Sequence, residues 1–333
     1  MQLDQKLSKD NNNAFYLSSK FLPKKYRNDI YKLYSFVSIT KSYASENQAK
    51  KLQDLEKSYN LAISDTAFDA IAHKWDDTDT RIIKYIVRLQ NKHKFEQSWV
   101  ETYFKSLRID LDKQEYKTID QLLEFVYGSA EVVSLMTAKI LNMSEDIYEA
   151  VQAEGRALLW LDFVRNIAKQ NKQGKLYFPT DELKKYNLAD LGYDTIQASP
   201  EKFNKFIQLQ INRYHKWQSQ VNKSIQLVPE RLQVPVRTII DVNDWVAKKI
   251  ATKPIIVYQK MVNPSKQRVV RQIIKNSAKG SARVGVRTTR KVGRGVKNIR
   301  PASKAVIPKI KQAPETVKEK AKEIKDKYIE TED

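Results

Sequence analysis

The chain has no cysteine among its 333 residues. Disulfides, thiolate metal sites and cysteine nucleophiles are therefore excluded, and nothing in the chain requires an oxidising compartment. Histidine is scarce. His73, His93 and His215 stand far apart in sequence, which argues against a histidine-rich metal centre. Only 8 glycines occur, and four of them crowd between Gly280 and Gly295. Long apolar runs are missing too: none approaches the ~20 residues that cross a bilayer. The segment from Met1 to Lys6 lacks the apolar stretch of a signal peptide. The expected location is cytoplasmic, with a peripheral place on the inner membrane face as an option.

What is present is helix-forming sequence and positive charge. Hydrophobic residues make up 41% of the chain, enough for a sizeable core. The formal net charge is +21, and its distribution is uneven. From Ser265 to Lys311 there are 15 Lys or Arg and no Asp or Glu, so everything else carries only +6.

The first 260 residues show helical spacing and no alternating strand pattern. Tyr31, Tyr34, Phe36 and Val37 begin one apolar face. A second, running from Leu122 through Phe125, Val126, Val133 and Leu135 to Met136, has few polar interruptions and reads as buried on most sides. A third spans Leu158 to Ile167. A fourth, from Phe203 to Ile225, follows Ser199-Pro200, a good start signal. The Asp76-Asp77-Thr78-Asp79 cluster looks at first like a metal motif, but acids and Thr at a helix start are expected from capping and the helix dipole. The body reads as all-α.

Three segments, taken together and in order, resemble the squalene/phytoene synthase family. They are Phe15 to Pro23, Ile30 to Phe36, and Gly174-Lys175-Leu176-Tyr177-Phe178-Pro179-Thr180-Asp181-Glu182-Leu183. Leu107 to Lys113 and Arg165 extend the match, which covers roughly residues 14 to 260. The resemblance implies an isoprenoid-synthase helical bundle with a central cavity. It also implies condensation of two prenyl diphosphates, with magnesium held by two aspartate-rich motifs. The chemistry needs those acids, because magnesium takes hard oxygen ligands and neutralises the departing diphosphate.

The sequence departs from the family at those places. The first motif falls on Lys41, Ser42 and Ser45, and the second on Asn166 and Gln170, with Lys169 at a family glutamate. Leu159 replaces a polar Gln and Glu131 a glycine. The first expectation is a catalytically degenerate protein that binds an isoprenoid or lipid, or serves as an assembly module at a membrane with a protein partner. No cofactor accompanies it. The alternative is an active prenyltransferase in which Lys41, Arg165 and Lys169 clamp diphosphate directly, and magnesium is expected only in that case. A relocated metal site at Asp110, Glu131 and Asp162 is a third option. Its bland counterpart makes Asp110 a structural acceptor and pairs Glu131 with a lysine. Tyr34, Tyr177 and Phe178 are candidate ligand-lining aromatics, as are Tyr16, Tyr31, Phe36 and Tyr127, although such residues more often fill cores.

Four segments are expected: a tail (1–13), the helical domain (14–262), a basic flexible linker (263–312) and a terminal charged helix (313–333). Lys266, Arg268, Arg271 and Lys275 flank Val269, Val270, Ile273 and Ile274, which fits a short interfacial helix on an anionic membrane. Nucleic acid ranks lower as a partner, since the basic segment has no aromatic residue for base stacking.

Overall fold

The computed structural model describes residue 19 and residues 22–64, 78–112 and 115–292, with side chains to residue 279. The expected tail, the terminal helix, Tyr16 and Asp76-Asp77 lie outside these residues. Among the described residues the secondary structure is helical, apart from one isolated parallel bridge between Glu115 and Leu176. In chain order the helices are α1 (Lys24–Ser45), α2 (Ala49–Ser64), α3 (Thr78–His93), α4 (Gln97–Asp112) and α5 (Ile119–Val126). A π turn (Tyr127–Glu131) joins α5 to α6 (Val132–Ile140), and α7 (Tyr148–Arg165) and α8 (Ile167–Lys172) follow. The remainder are α9 (Thr180–Lys185), α10 (Tyr193–Ala198), α11 (Pro200–Ser224), α12 (Glu230–Thr252), α13 (Ile256–Gln259) and α14 (Lys266–Val292).

Helix α7 is the hub, packed against α6 and α11. Its small residues allow this. A Cβ on Gly155 would lie 2.5 Å from Ser134 Oγ and 2.8 Å from Ala130 O, so only glycine lets the two backbones approach so closely. On the opposite side Trp160 is fully buried, with its ring centroid 5.2 Å from that of Trp217 on α11. Helices α1, α3 and α4 close the other flank through Ile30, Leu33, Phe36, Ile83, Val100 and Phe104. Asp29 of α1 is buried and receives Lys92 Nζ at 2.6 Å and His93 Nε2 at 2.8 Å from the end of α3. Burial pushes its carboxyl up, but those two partners prevail and hold it below the usual range.

A chain this poor in glycine still has to end its helices. Asn47, Asn142 and Asn187 take positive φ (51–55°) just past α1, α6 and α9, the left-handed position that glycine usually fills and asparagine tolerates.

The expectation for the basic segment needs correction. Instead of a flexible linker beginning at 263, α14 starts at Lys266 and packs along α12. Val269, Val270 and Ile273 are buried, and Val269 and Ile273 cluster with Val242 of α12 and Tyr31 of α1. Asp241 of α12 accepts hydrogen bonds from Gln272 (2.5 Å) and Asn276 (2.9 Å). The apolar side proposed for a membrane is therefore occupied by the protein itself.

Candidate functional site

The residues of interest lie where the C-terminal ends of α1, α4 and α7 meet the extended segment after α8. Gly174 ends α8 at φ 70°, a left-handed turn open to glycine. The turn sends Lys175, Leu176 and Tyr177 back past α4, where Leu176 bridges Glu115. Asp110 of α4 then accepts from the Tyr177 hydroxyl, and Lys175 Nζ sits 3.6 Å from its Oδ1 and donates to its main-chain oxygen. The Tyr177 ring stacks on Phe163 of α7 at 4.6 Å, nearly parallel. One turn before the end of α7, Asp162 pairs with Arg165, whose Nη1 donates to Asn263 Oδ1 at 3.3 Å. A cavity of about 150 Å³ opens beside this group, lined by Ala44, Ser45, Asn47, Leu111, Gln173, Lys175 and Tyr177.

Lys41 reaches this region from α1. Its ammonium makes no hydrogen bond and no ion pair, yet it feels the charges of Asp162 and Asp110. Burial pushes it below the usual lysine range, and the two carboxylates offset only part of that. Both acids already have closer partners. Lys41 is thus the uncommitted cation at the mouth of the cleft.

Further back along α1 and α7, toward their N-terminal ends, lies a second polar group, the floor, that the sequence reading did not pick out. Glu154 of α7 accepts from Gln218 of α11 at 2.9 Å, and Tyr214 of α11 donates to Asp244 of α12 at 2.8 Å. Burial, and secondarily the charge of Asp244, pushes Glu154 up to about 7, and Asp244 is raised as well, chiefly by burial. Tyr34 of α1 faces this group and bonds Thr137. Burial, with a contribution from Glu154, raises its phenol to about 12.

The other candidates disperse. Glu131 is buried and held in a two-pronged bond by Arg156, at 2.6 and 2.9 Å, so its partner is an arginine rather than the expected lysine. With Asp110, Asp162 and Glu131 each committed to a cation, the relocated metal site does not form. Among the described residues no three His, Asp or Glu side chains converge as metal ligands. Phe178 is core, 1% exposed, edge-on to Trp160 and Phe206. Tyr31 and Phe36 are core too. Lys169 is exposed on α8. Of the expected ligand contacts, Lys41, Arg165 and Tyr177 share the mouth and Tyr34 sits deeper. Lys175 was missed because, in sequence, a lysine beside a turn looks like any surface lysine.

The profile of the squalene/phytoene synthase family matches residues 9–270. The chain belongs to that family. Phytoene synthase 1 of Solanum lycopersicum is 26% identical over 189 residues, 49% of this chain and 46% of that protein. Phytoene synthase 2 of Oryza sativa is 24% identical over 248 residues, 67% of this chain and 56% of that protein. The chain thus spans about half the length of the plant relatives it matches. Among solved structures, a dehydrosqualene synthase in complex with ligand superposes with TM-score 0.67 at 14% identity, covering 86% of this chain and 95% of that one. A squalene synthase of Alicyclobacillus acidocaldarius gives 0.58 at 18%, covering 79% and 94%. The all-α isoprenoid-synthase fold expected from sequence is therefore the fold found.

At the positions where the sequence resemblance expects the squalene/phytoene synthase metal motifs, the side chains do not suit magnesium. Ser42 Oγ donates to Ile39 O at 2.8 Å and Ser45 Oγ to Ser42 O at 3.0 Å, so both are neutral hydroxyls turned back on their own helix. Asn166 Nδ2 likewise donates to Asp162 O at 2.9 Å. Lys41 places an ammonium where the resemblance expects a carboxylate. A hard dication needs anionic oxygen donors, and this set supplies neutral donors and a like charge.

Proposed function

We propose that this family member binds an amphipathic isoprenoid or lipid without a metal and without ionising it. The observation that carries the reading is Lys41: a cation near Asp162 and Asp110 that makes no ion pair of its own, at a position where the sequence resemblance expects an acid. A phosphate or diphosphate head would meet Lys41 directly. Ionisation of a prenyl diphosphate needs several kcal/mol of charge stabilisation of the leaving group. Lys41 alone is a weak substitute, because Arg165 is engaged by Asp162 and Lys175 by Asp110.

A second reading has one observation in its favour. Lys41, Arg165 and Lys175 outnumber Asp110 and Asp162 at the mouth, and fixed cations do stabilise developing negative charge. The two readings separate in one experiment. Purified full-length protein is incubated with farnesyl and geranylgeranyl diphosphates, with magnesium and with EDTA, and pyrophosphate and hydrocarbon products are assayed. Parallel calorimetry uses farnesyl thiodiphosphate, a non-ionising analogue. The expected result is binding in EDTA, weakened at least about tenfold in Lys41→Met (a charge-assisted contact of ~1.5 kcal/mol), with no turnover. Released pyrophosphate would establish the prenyltransferase reading. Binding that requires magnesium would remove the first reading.

A further inference from the structure

Although the apolar side of α14 is buried, its other side remains bare and carries one sign of charge. Arg268, Arg271, Lys275 and Lys279 recur at helical spacing and are all exposed. Asp241 of α12 touches this helix and is bonded to Gln272 and Asn276, and Asp244 of α12 is bonded to Tyr214. The half-exposed Trp245 of α12 lies under the Arg268 guanidinium, 4.2 Å from its ring centroid, with Lys249 Nζ at 6.0 Å on the same ring. Just before α14, Met261 is 47% exposed, a large apolar side chain left in solvent. Two residues on, Asn263 receives Arg165 from the cleft mouth at 3.3 Å. The sequence that follows continues basic, with no acid before Lys311.

We infer that the docked α14, with Trp245 and Met261 at its start, is a docking face for an anionic lipid bilayer that brings the cleft mouth to the membrane surface. The charge complementarity is direct: anionic headgroups attract a row of Lys and Arg, and tryptophan favours the headgroup layer. The helix does not insert. Val269, Val270 and Ile273 stay against α12 and α1, so attraction is electrostatic and weakens with salt. The Arg165–Asn263 contact fixes the start of this face beside the mouth, giving a lipid a short path between bilayer and cleft. This inference does not depend on which ligand the cleft takes, and its test reads the vesicle alone.

The test is flotation of the full-length protein with phosphatidylcholine vesicles, with and without phosphatidylglycerol, across a salt series. Binding is expected only with the anionic lipid and is expected to fall steeply with salt. The triple variant Arg271→Gln, Lys275→Gln, Lys279→Gln should lower the partition coefficient about 100-fold, with an unchanged melting temperature, since all three side chains are exposed. Lys184→Gln, Lys185→Gln, Lys205→Gln, exposed lysines of α9 and α11, serve as the control and should leave it unaltered. The inference is overturned by equal binding to neutral vesicles, by salt-independent binding, or by an equal loss in the control variant. It is also overturned if the α14 variant loses affinity for duplex RNA while keeping its affinity for vesicles.

Discussion

Two polar groups lie along α1 and α7, one at the mouth and one at the floor, and they balance charge in opposite ways. At the mouth each carboxylate has a cation: Asp162 has Arg165, Asp110 has Lys175, and Lys41 is left over as spare positive charge. At the floor Glu154 and Asp244 are hydrogen-bonded by neutral groups, Gln218 and Tyr214, and burial raises both, with His215 offsetting part of the rise at Asp244. One end carries a spare cation, whereas at the other burial favours the protonated form. In low dielectric a carboxyl without a cation becomes protonated, and a carboxylate beside a cation does not. Glu131 follows the mouth pattern at greater depth, fully buried and gripped by Arg156.

The sharpest way to break this comparison is to turn a paired acid into an unpaired one. Arg156→Met strands Glu131 in the core and should cost about 3–5 kcal/mol in urea denaturation. The double variant Glu131→Gln, Arg156→Met should recover most of that loss. A neutral single variant would show that the pair contributes nothing to the fold.

The next effect is on the floor and depends on pH. Folding raises Glu154 from 4.5 to about 7. The folded state therefore holds the extra proton between those values, and stability falls as pH rises from 4.5 to 7, levelling above that. This residue's share of the fall is roughly 3 kcal/mol, at 1.36 kcal/mol per unit. Glu154→Gln should flatten that part of the pH–stability curve, measured by denaturation at pH 5, 6, 7 and 8. An unchanged slope would place the proton elsewhere.

Lys41 has the opposite sign. Its folded value lies below the unfolded one, so the charged form opposes folding at neutral pH, and the penalty fades as pH rises through the folded value. Lys41→Met should stabilise the fold by about 1 kcal/mol at neutral pH while weakening binding of an anionic head. Gain of stability with loss of affinity marks a residue kept for function. The smallest effect is Tyr177→Phe. It leaves the stack on Phe163 and removes one hydrogen bond to Asp110, for about 1 kcal/mol by thermal melts.

Much of the fold was legible in the sequence because helical periodicity is local. The start of α11 at Ser199-Pro200 and the apolar run through α5 and α6 follow from the order of residues. Asp79 does sit in the first turn of α3. The mouth was half legible: motif positions pointed to Lys41, Arg165 and Asp110, and a lysine beside Gly174 gave no signal that it would fold back onto Asp110. The floor was silent. Glu154, Gln218, Tyr214 and Asp244 are each ordinary helix residues, and three helices had to be packed before they met. The basic segment was misread because an amphipathic helix shows that it has an apolar face but not what covers it.

By itself, then, the sequence determined an all-helical chain of one family, the missing acids and the concentration of positive charge after residue 265. Those are properties of residue order and spacing, fixed before any packing. The tertiary structure decided which acids meet cations, that Lys41 stands near Asp110 and Asp162 without an ion pair of its own, and that α14 lies on the protein. Charge pairing and burial depend on distances between residues far apart in the chain, and packing sets those distances.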